Sequence, residues 1–168
     1  MSAGEWIVRP LTAADANERQ ELRLEALRDF PAAYGSTFET ESLKPLEHFA
    51  QFPDPEHGLM VGAFVGAHII GMASIRRFES PSTRHWGHLT GMYVRPAFWS
   101  SGVADAIMCH LMDFAREKFE FVELSATHGN DRAYRFYARH GFREFGRRPR
   151  SMRHGGRDYD EILMWRAS

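Results

Sequence analysis

Residues His88 to Thr127 read without interruption as strand, turn, helix and strand. His88–Val94 is rich in β-forming residues, and Pro96 ends it. Ser100-Ser101-Gly102 then leads into a helix. Val103, Ile107, Leu111 and Phe114 recur at spacings of four, four and three, which puts them on one helical face. Phe121–Thr127 is strand-like again. Two strands of one sheet joined by a helix lie parallel, and the connection is right-handed. A parallel pair needs cover on its faces. This single passage therefore demands a sheet with helices packed on it.

The flanking segments supply the rest of that sheet. Trp6–Arg9 reads as a short strand. Thr12 opens a helix with Asp15 in its first turn, apolar at Leu22, Leu24 and Leu27 and ended by Pro31. A second helix is expected from Pro45, with Leu46, Phe49 and Ala50 on one face, stopped by Pro53 and Pro55. Leu59–Phe78 reads as a β-hairpin turning near Gly66, and Glu79–Arg84 as a loop. Asn130 caps a short helix running to His140, and Gly141 is its left-handed stop. Two last strands follow near Phe142–Arg148 and Tyr159–Trp165. The order β-α-α-β-β-β-α-β-α-β-β predicts an α/β (α+β) fold with antiparallel hairpins at both ends of a mixed sheet.

The chain has 168 residues, which suits one domain spanning 1–168. Lys and Arg total 21 against 22 Asp and Glu, for a formal net charge of −1. That balance argues against a general nucleic-acid coat or a membrane-surface binder. No 18-residue apolar run suggests a transmembrane helix, and MSAGEWIVRP lacks the apolar stretch of a signal peptide. One cysteine, Cys109, forms neither an internal disulfide nor a Cys-rich zinc site, and a reducing cytoplasm is the expected compartment. His85-x-x-His88 is a poor metal pair, because side chains three apart in a strand point to opposite faces, so no metal is expected. Arg143–Arg157 holds six arginines and one glutamate, which raises nucleic acid as a partner; arginines on an outer strand that discourage edge pairing explain the pattern better.

Two segments carry chemistry. In Leu89–Ala104 a strand turns into a helix start, where backbone N–H groups lack internal partners and the helix dipole favours an anion. Gly102 permits close approach of a ligand, Ser100 and Ser101 offer hydroxyl donors, and the whole suits a phosphate or pyrophosphate. In Asn130–Phe142, Tyr137 is either a core aromatic or a positioned hydroxyl.

Met92-Tyr93-Val94-x-Pro96 followed by Gly102-x-Ala104, then Asn130-x-x-Ala133-x-x-x-Tyr137-x-x-x-Gly141-Phe142, resembles the motifs of the GNAT superfamily of acetyl-CoA-dependent N-acetyltransferases. Asp160-Glu161-x-Leu163-Met164-Trp165 looks like that family's last strand, and Ile7-Val-Arg-Pro-Leu-Thr-x-x-Asp15 like its opening. The resemblance covers nearly the whole chain. It implies a mostly antiparallel sheet of about seven strands, helices on both faces, and a splay between the fourth and fifth strands.

It also implies direct transfer of an acetyl group from acetyl-CoA to a primary amine of a small molecule or protein. Met92, Tyr93 and Val94 would line the pantetheine arm. Ser100, Ser101, Gly102, Val103 and Ala104 would hold the pyrophosphate, and Asn130 and Tyr137 would complete the cofactor site. Tyr137 matches the position of the acid that serves the leaving thiolate, and a backbone N–H near Met92 would serve the oxyanion. A base must take the proton of the amine. His88 and Glu123 are the candidates, with Ser125 standing where some relatives carry a glutamate. Glu39 and Glu41 lie where the acceptor binds and would attract a cationic amine. Trp99 departs from the family's Gln or Arg, with Arg95, Arg132 or Arg135 as sources of the missing charge. That departure also admits an alternative, a catalytically weak domain that binds or senses acetyl-CoA. The resemblance leaves room for a homodimer.

Overall fold

The computed structural model describes Glu5–Ser168. The signal-peptide expectation falls partly on Met1–Gly4, outside the described residues. Seven strands form one sheet: β1 (Ile7–Pro10), β2 (Gly58–Val65), β3 (His68–Arg77), β4 (Trp86–Val94), β5 (Phe121–Thr127), β6 (Arg143–His154) and β7 (Arg157–Ala167). Five α-helices accompany them: α1 (Ala16–Asp29), α2 (Phe38–Ser42), α3 (Leu46–Phe49), α4 (Val103–Lys118) and α5 (Asp131–Arg139). The strand order is β1-β2-β3-β4-β5-β7-β6. Every neighbouring pair is antiparallel except β4–β5.

Alternation along β3 shows how the two faces are covered. Ile69 and Met72 join Leu22 and Ala26 of α1 in one buried cluster. Ile70, Ala73 and Ile75 join Val103, Ile107 and Leu111 of α4, and Tyr137 of α5, in the other. The four-four-three stripe of α4 is thus its core face, with Phe114 only partly buried at its end. A register shift between Ala63 and Phe64 leaves Ile70 as an extra residue of β3, which is why Ile69 shares a face with Met72 and Ile70 with Ala73; a second shift between Met72 and Ser74 leaves the extra residue in β4.

The parallel pair is short. Trp86, Gly87 and His88 pair with Phe121, Val122 and Glu123, and there the pairing ends. Beyond it β4 stays with β3 and β5 stays with β7. Gly87 sits at the closed end, where a Cβ would lie 2.6 Å from the Phe119 ring. Gly91 sits at the open end with φ +67°, a conformation a β-branched residue would resist. The expected splay between the fourth and fifth strands is present.

Two expectations need correction. The helix from Pro45 spans only α3, and a separate short helix, α2, precedes it, capped where the Thr37 side chain accepts the Thr40 N–H at 3.2 Å. The last hairpin is longer than its apolar pattern suggests. Pro149 marks a register shift rather than an end, because β6 is an edge strand whose missing N–H costs no ladder bond. Pairing resumes to a turn at Gly155-Gly156.

At the first edge, Asp15 is buried where β1 meets α1. Arg9 donates to both its carboxylate oxygens at 2.8 Å, and the Thr12 N–H donates to it at 2.8 Å. The Arg9 bonds hold its pKa down at about 2, against the opposing effect of burial. A carboxylate whose pKa is depressed on folding stabilises above its unfolded pKa and loses that contribution as pH falls through the folded one. Asp15→Asn is therefore expected to cost about 1–2 kcal/mol at neutral pH. The gap to wild type should close between roughly pH 4 and pH 2, as followed by denaturant titration across that range.

Candidate active site

The parted strands open a cleft of about 220 Å³. Met92, Tyr93 and Val94 of β4 form one wall; Ser125, Ala126 and Thr127 of β5 form the other; Ala104, Asn130, Ala133 and Tyr137 close it. Asn130 also caps α5, its Oδ1 accepting the Ala133 N–H at 3.1 Å. Tyr137 is held by that helix and by the turn at Gly141, where the Phe142 N–H reaches the Tyr137 carbonyl. Its ring is buried, which pushes the phenol pKa up and keeps the group protonated. Among the described residues its hydroxyl has no hydrogen-bond partner, so the proton is free to point into the cleft.

The loop beyond the cleft is built to receive an anion. Ser100 and Gly102 both have positive φ, +64° and +87°. The first intrahelical bond of α4 runs from Ala106 N–H to Gly102 O, so the N–H groups of Val103, Ala104 and Asp105 have no helical acceptor. A Cβ on Gly102 would meet only Trp6, at 3.8 Å, so the space before it is open. Residues and geometry fit a pyrophosphate. Ser101 does not face that space: its N–H and hydroxyl both return to the Phe98 carbonyl, the hydroxyl at 2.6 Å. Val103 offers only its N–H, because its side chain is in the core.

Trp99 is fixed by its indole N–H, which donates to the Val94 carbonyl at 2.8 Å. The Arg132 guanidinium lies over its ring, 3.2 Å from the centroid, and both residues line the cleft. Arg95 is committed elsewhere, donating to Glu25 at 3.0 Å. A guanidinium from α5 is therefore held against the side chain at position 99, on the wall of the cleft.

A second, larger cavity of about 1010 Å³ lies across the sheet opening. It shares Tyr34, Leu89, Thr90, Gly91, Ser125 and Thr127 with the cleft, so the two meet where β4 leaves β5. His88 and Glu123 both line it, and they are register partners: His88 Nδ1 lies 3.3 Å from Glu123 Oε1. That contact lacks hydrogen-bond alignment, so His88 Nδ1 is buried and unpaired, as is Ser74 Oγ on the same wall.

The reading by position found Ser125, but not the carboxylate beside it. Ser125 Oγ donates at 2.7 Å to Glu161, which reaches over from β7. Burial raises the Glu161 pKa, but bonds from Ser151, Ser125 and Arg148 outweigh it and keep the group ionised. Tyr34 was missed altogether. Its hydroxyl donates to the Met92 carbonyl at 3.1 Å, and burial lifts its pKa to about 12. Neither had a sequence signal beyond its type, since each is brought in from a distant element.

Glu39 is exposed and does not line the cavity. Glu41 does, but its carboxylate is already taken by Ser36 at 2.8 Å, Lys44 at 3.2 Å and Arg23 at 3.8 Å. Cys109 is exposed on α4 rather than packed, and it lines neither cavity. Arg147, Arg148, Arg150 and Arg153 each pair with a carboxylate on the β6–β7 hairpin, which neutralises the basic run. Among the described residues no group of three His, Cys, Asp or Glu is arranged to hold a metal, and no helix is long and apolar enough to cross a membrane.

The profile of the acetyltransferase (GNAT) family matches residues 20–142, and with the parted strands and the loop before α4 the chain belongs to that family. It is an enzyme of the N-acetyltransferase class. The N-alpha-acetyltransferase RimI of Mycobacterium tuberculosis is 30% identical over 149 residues, covering 88% of this chain and 85% of that protein. Ribosomal-protein-alanine N-acetyltransferase from Brucella melitensis superposes with a TM-score of 0.84 at 22% identity, over 96% of this chain and 99% of that one. A phosphinothricin acetyltransferase from Sinorhizobium meliloti, solved in complex with AcCoA, gives 0.82 at 19%, over 96% and 88%.

The open cradle at Gly102 makes a direct prediction. A ligand at a hundred times its Kd stabilises by about 2.7 kcal/mol. Saturating acetyl-CoA is expected to raise Tm in a thermal melt, and Gly102→Glu is expected to abolish the rise, because the new carboxylate occupies the cradle with like charge.

Proposed function

We propose that the protein moves an acetyl group directly from acetyl-CoA to a primary amine of a small molecule or protein. The observation that carries this reading is the meeting of two cavities at one opening in the sheet: a narrow cleft ending in an anion cradle, and a wide cavity with titratable groups. The Sinorhizobium phosphinothricin acetyltransferase, solved in complex with AcCoA, supports acetyl-CoA as the occupant of the cleft. Acetyl-CoA bound there supplies an activated acetyl thioester. The Arg132–Trp99 stack supports full binding against the weaker sensing alternative, because it restores a cation at the cleft mouth.

The chain's own residues divide the remaining work. The wide cavity admits the amine and brings it to Thr90 and Gly91, where β4 lines both cavities. His88 and Glu123 receive the proton the nitrogen must lose, at Nδ1 or the facing carboxylate oxygen, so the pair acts as one acceptor rather than as alternatives. The Met92 N–H, beside the bulge at Gly91, serves the carbonyl oxygen as charge builds there. Tyr34, bonded to the Met92 carbonyl, fixes that strand segment. Tyr137 holds a proton above the cleft and gives it to the departing sulfur. Carbon–nitrogen bond formation, carbon–sulfur cleavage and the two proton movements then balance. A cytoplasmic, reducing setting suits a chain with one exposed thiol.

Tyr137→Phe keeps the ring packing and removes only the oxygen. General acid–base assistance is typically about 100- to 10,000-fold, and water replaces part of it. Turnover is expected to fall at least about tenfold with acetyl-CoA affinity little changed; unaltered turnover in the folded variant removes Tyr137 from the reaction. For the route, Cys109→Ala is expected to keep most of its activity in a thiol-release assay. Parallel double-reciprocal plots together with a trapped acetyl-protein would contradict direct transfer.

A further inference from the structure

The wide cavity is lined by charges of both signs. On the β5–β7 side Glu161 is bonded by Arg148 and Arg153 lies in the same wall, which leaves Glu123, among the described residues, as the carboxylate there with no arginine partner. From α1 the lining receives Arg19 and Arg23. Their nearest carboxylate is Glu41, which Lys44 and Ser36 already engage. Arg23 is only 20% exposed along its side chain, lies 3.8 Å from Glu41, and makes no hydrogen bond among the described residues. Arg19 spends one nitrogen on the carbonyls of Phe49 and Gln51, both at 2.7 Å, and meets no carboxylate. Burial, with Arg76 and Arg23 nearby, pulls its pKa down to about 10. Half-buried guanidinium groups facing a cavity, and short of anions, are costly unless a ligand supplies one.

Distance sets the size of that ligand. The Arg23 guanidinium lies over the Tyr34 ring, 5.0 Å from its centroid. The hydroxyl at the far end of the same ring touches the Met92 carbonyl, beside the opening to the cleft. The cation and the site of amine attack are therefore about one tyrosine side chain apart. A second ammonium, as in a polyamine, would fall against Arg23 and be repelled.

Resting on the acetyl-transfer reading above, we propose that the acceptor is a small amino acid-like molecule, with its amine directed toward Glu123 and its carboxylate, or a similar oxyanion, held by Arg23 and Arg19. Arg23 is then the specificity-determining residue, and the Tyr34 ring is the spacer. The acetylated product keeps its anion and loses its ammonium, so its hold at the Glu123 end weakens on reaction.

The test compares amino carboxylates with their decarboxylated amines, a polyamine and short peptides with free N-termini, following thiol release from acetyl-CoA. At least one free amino carboxylate is expected to exceed its decarboxylated partner by about a hundredfold or more in kcat/KM, since a site built to bond a polar group rejects the analogue lacking it. Arg23→Gln is expected to lower that ratio at least about tenfold, mainly through KM, and Arg23→Lys to retain much of it. Melting curves establish that each variant is folded. Equal use of the two partners, an equal loss on both in Arg23→Gln, or preference for a peptide over every free amino acid overturns the proposal. If no amine releases thiol, the transfer reading fails, and the anion site is judged by melting alone. An amino carboxylate that raises Tm in wild type but not in Arg23→Gln then supports it, and no shift in either refutes it.

Discussion

Three register pairs join β4 to β5, and then the strands part. Everything functional in this protein depends on where that parting occurs. Before it, Gly87 lets Phe119 close over the sheet, and His88 and Glu123 are locked side by side. After it, the edges of both strands are freed from each other within a buried sheet, a state proteins normally avoid because unpaired backbone groups are costly. Here the freed edges line a passage between two cavities. The bulge at Gly91 and the Tyr34 hydroxyl on the Met92 carbonyl absorb part of the cost. An extended ligand with its own amides would absorb the rest.

The site also brings a charged side chain to its loop through space. Position 99 carries tryptophan where the family motif has a cationic or amide group. The indole is not idle: its N–H ties it to the end of β4 while its face carries Arg132. The guanidinium thus arrives from α5, the helix that also brings Asn130 and Tyr137. Loop and helix are coupled, and Asp105, which bonds both Arg139 and His140 at 2.7 and 2.8 Å, joins the start of α4 to the end of α5 in the same way. The cleft is held between two strands by the start of α4 and by α5, which suits a site that must keep its shape around a long, flexible ligand.

Much of the fold was legible because its signals are local. The α4 stripe, the Gly66 hairpin turn, the Asn130 cap and the Gly141 stop each act within a few residues, and each formed where expected. The strand expected near Phe142–Arg148 runs on past Pro149, because the consequence of a proline depends on whether the strand lies at an edge. The helix at Phe38–Ser42 is too short to show a periodicity. Cys109 faces solvent, since its neighbours Ile107, Met108 and Leu111 define the buried face of α4.

For the site, the sequence by itself determined the groups contributed by local motifs: the cradle around Gly102, the Asn130 cap, and Tyr137 one turn from its helix end. These follow from backbone geometry that a few consecutive residues dictate. It also named His88 and Glu123, but as alternatives. Only tertiary structure made them partners, because strand register is a long-range property that no local pattern encodes. The same holds for Glu161 beside Ser125, for Arg132 over Trp99, and for Arg19 and Arg23 facing the cavity with too few carboxylates. Charge is carried by residues, but whether a charge is satisfied depends on what the fold sets next to it, and here the fold decided that.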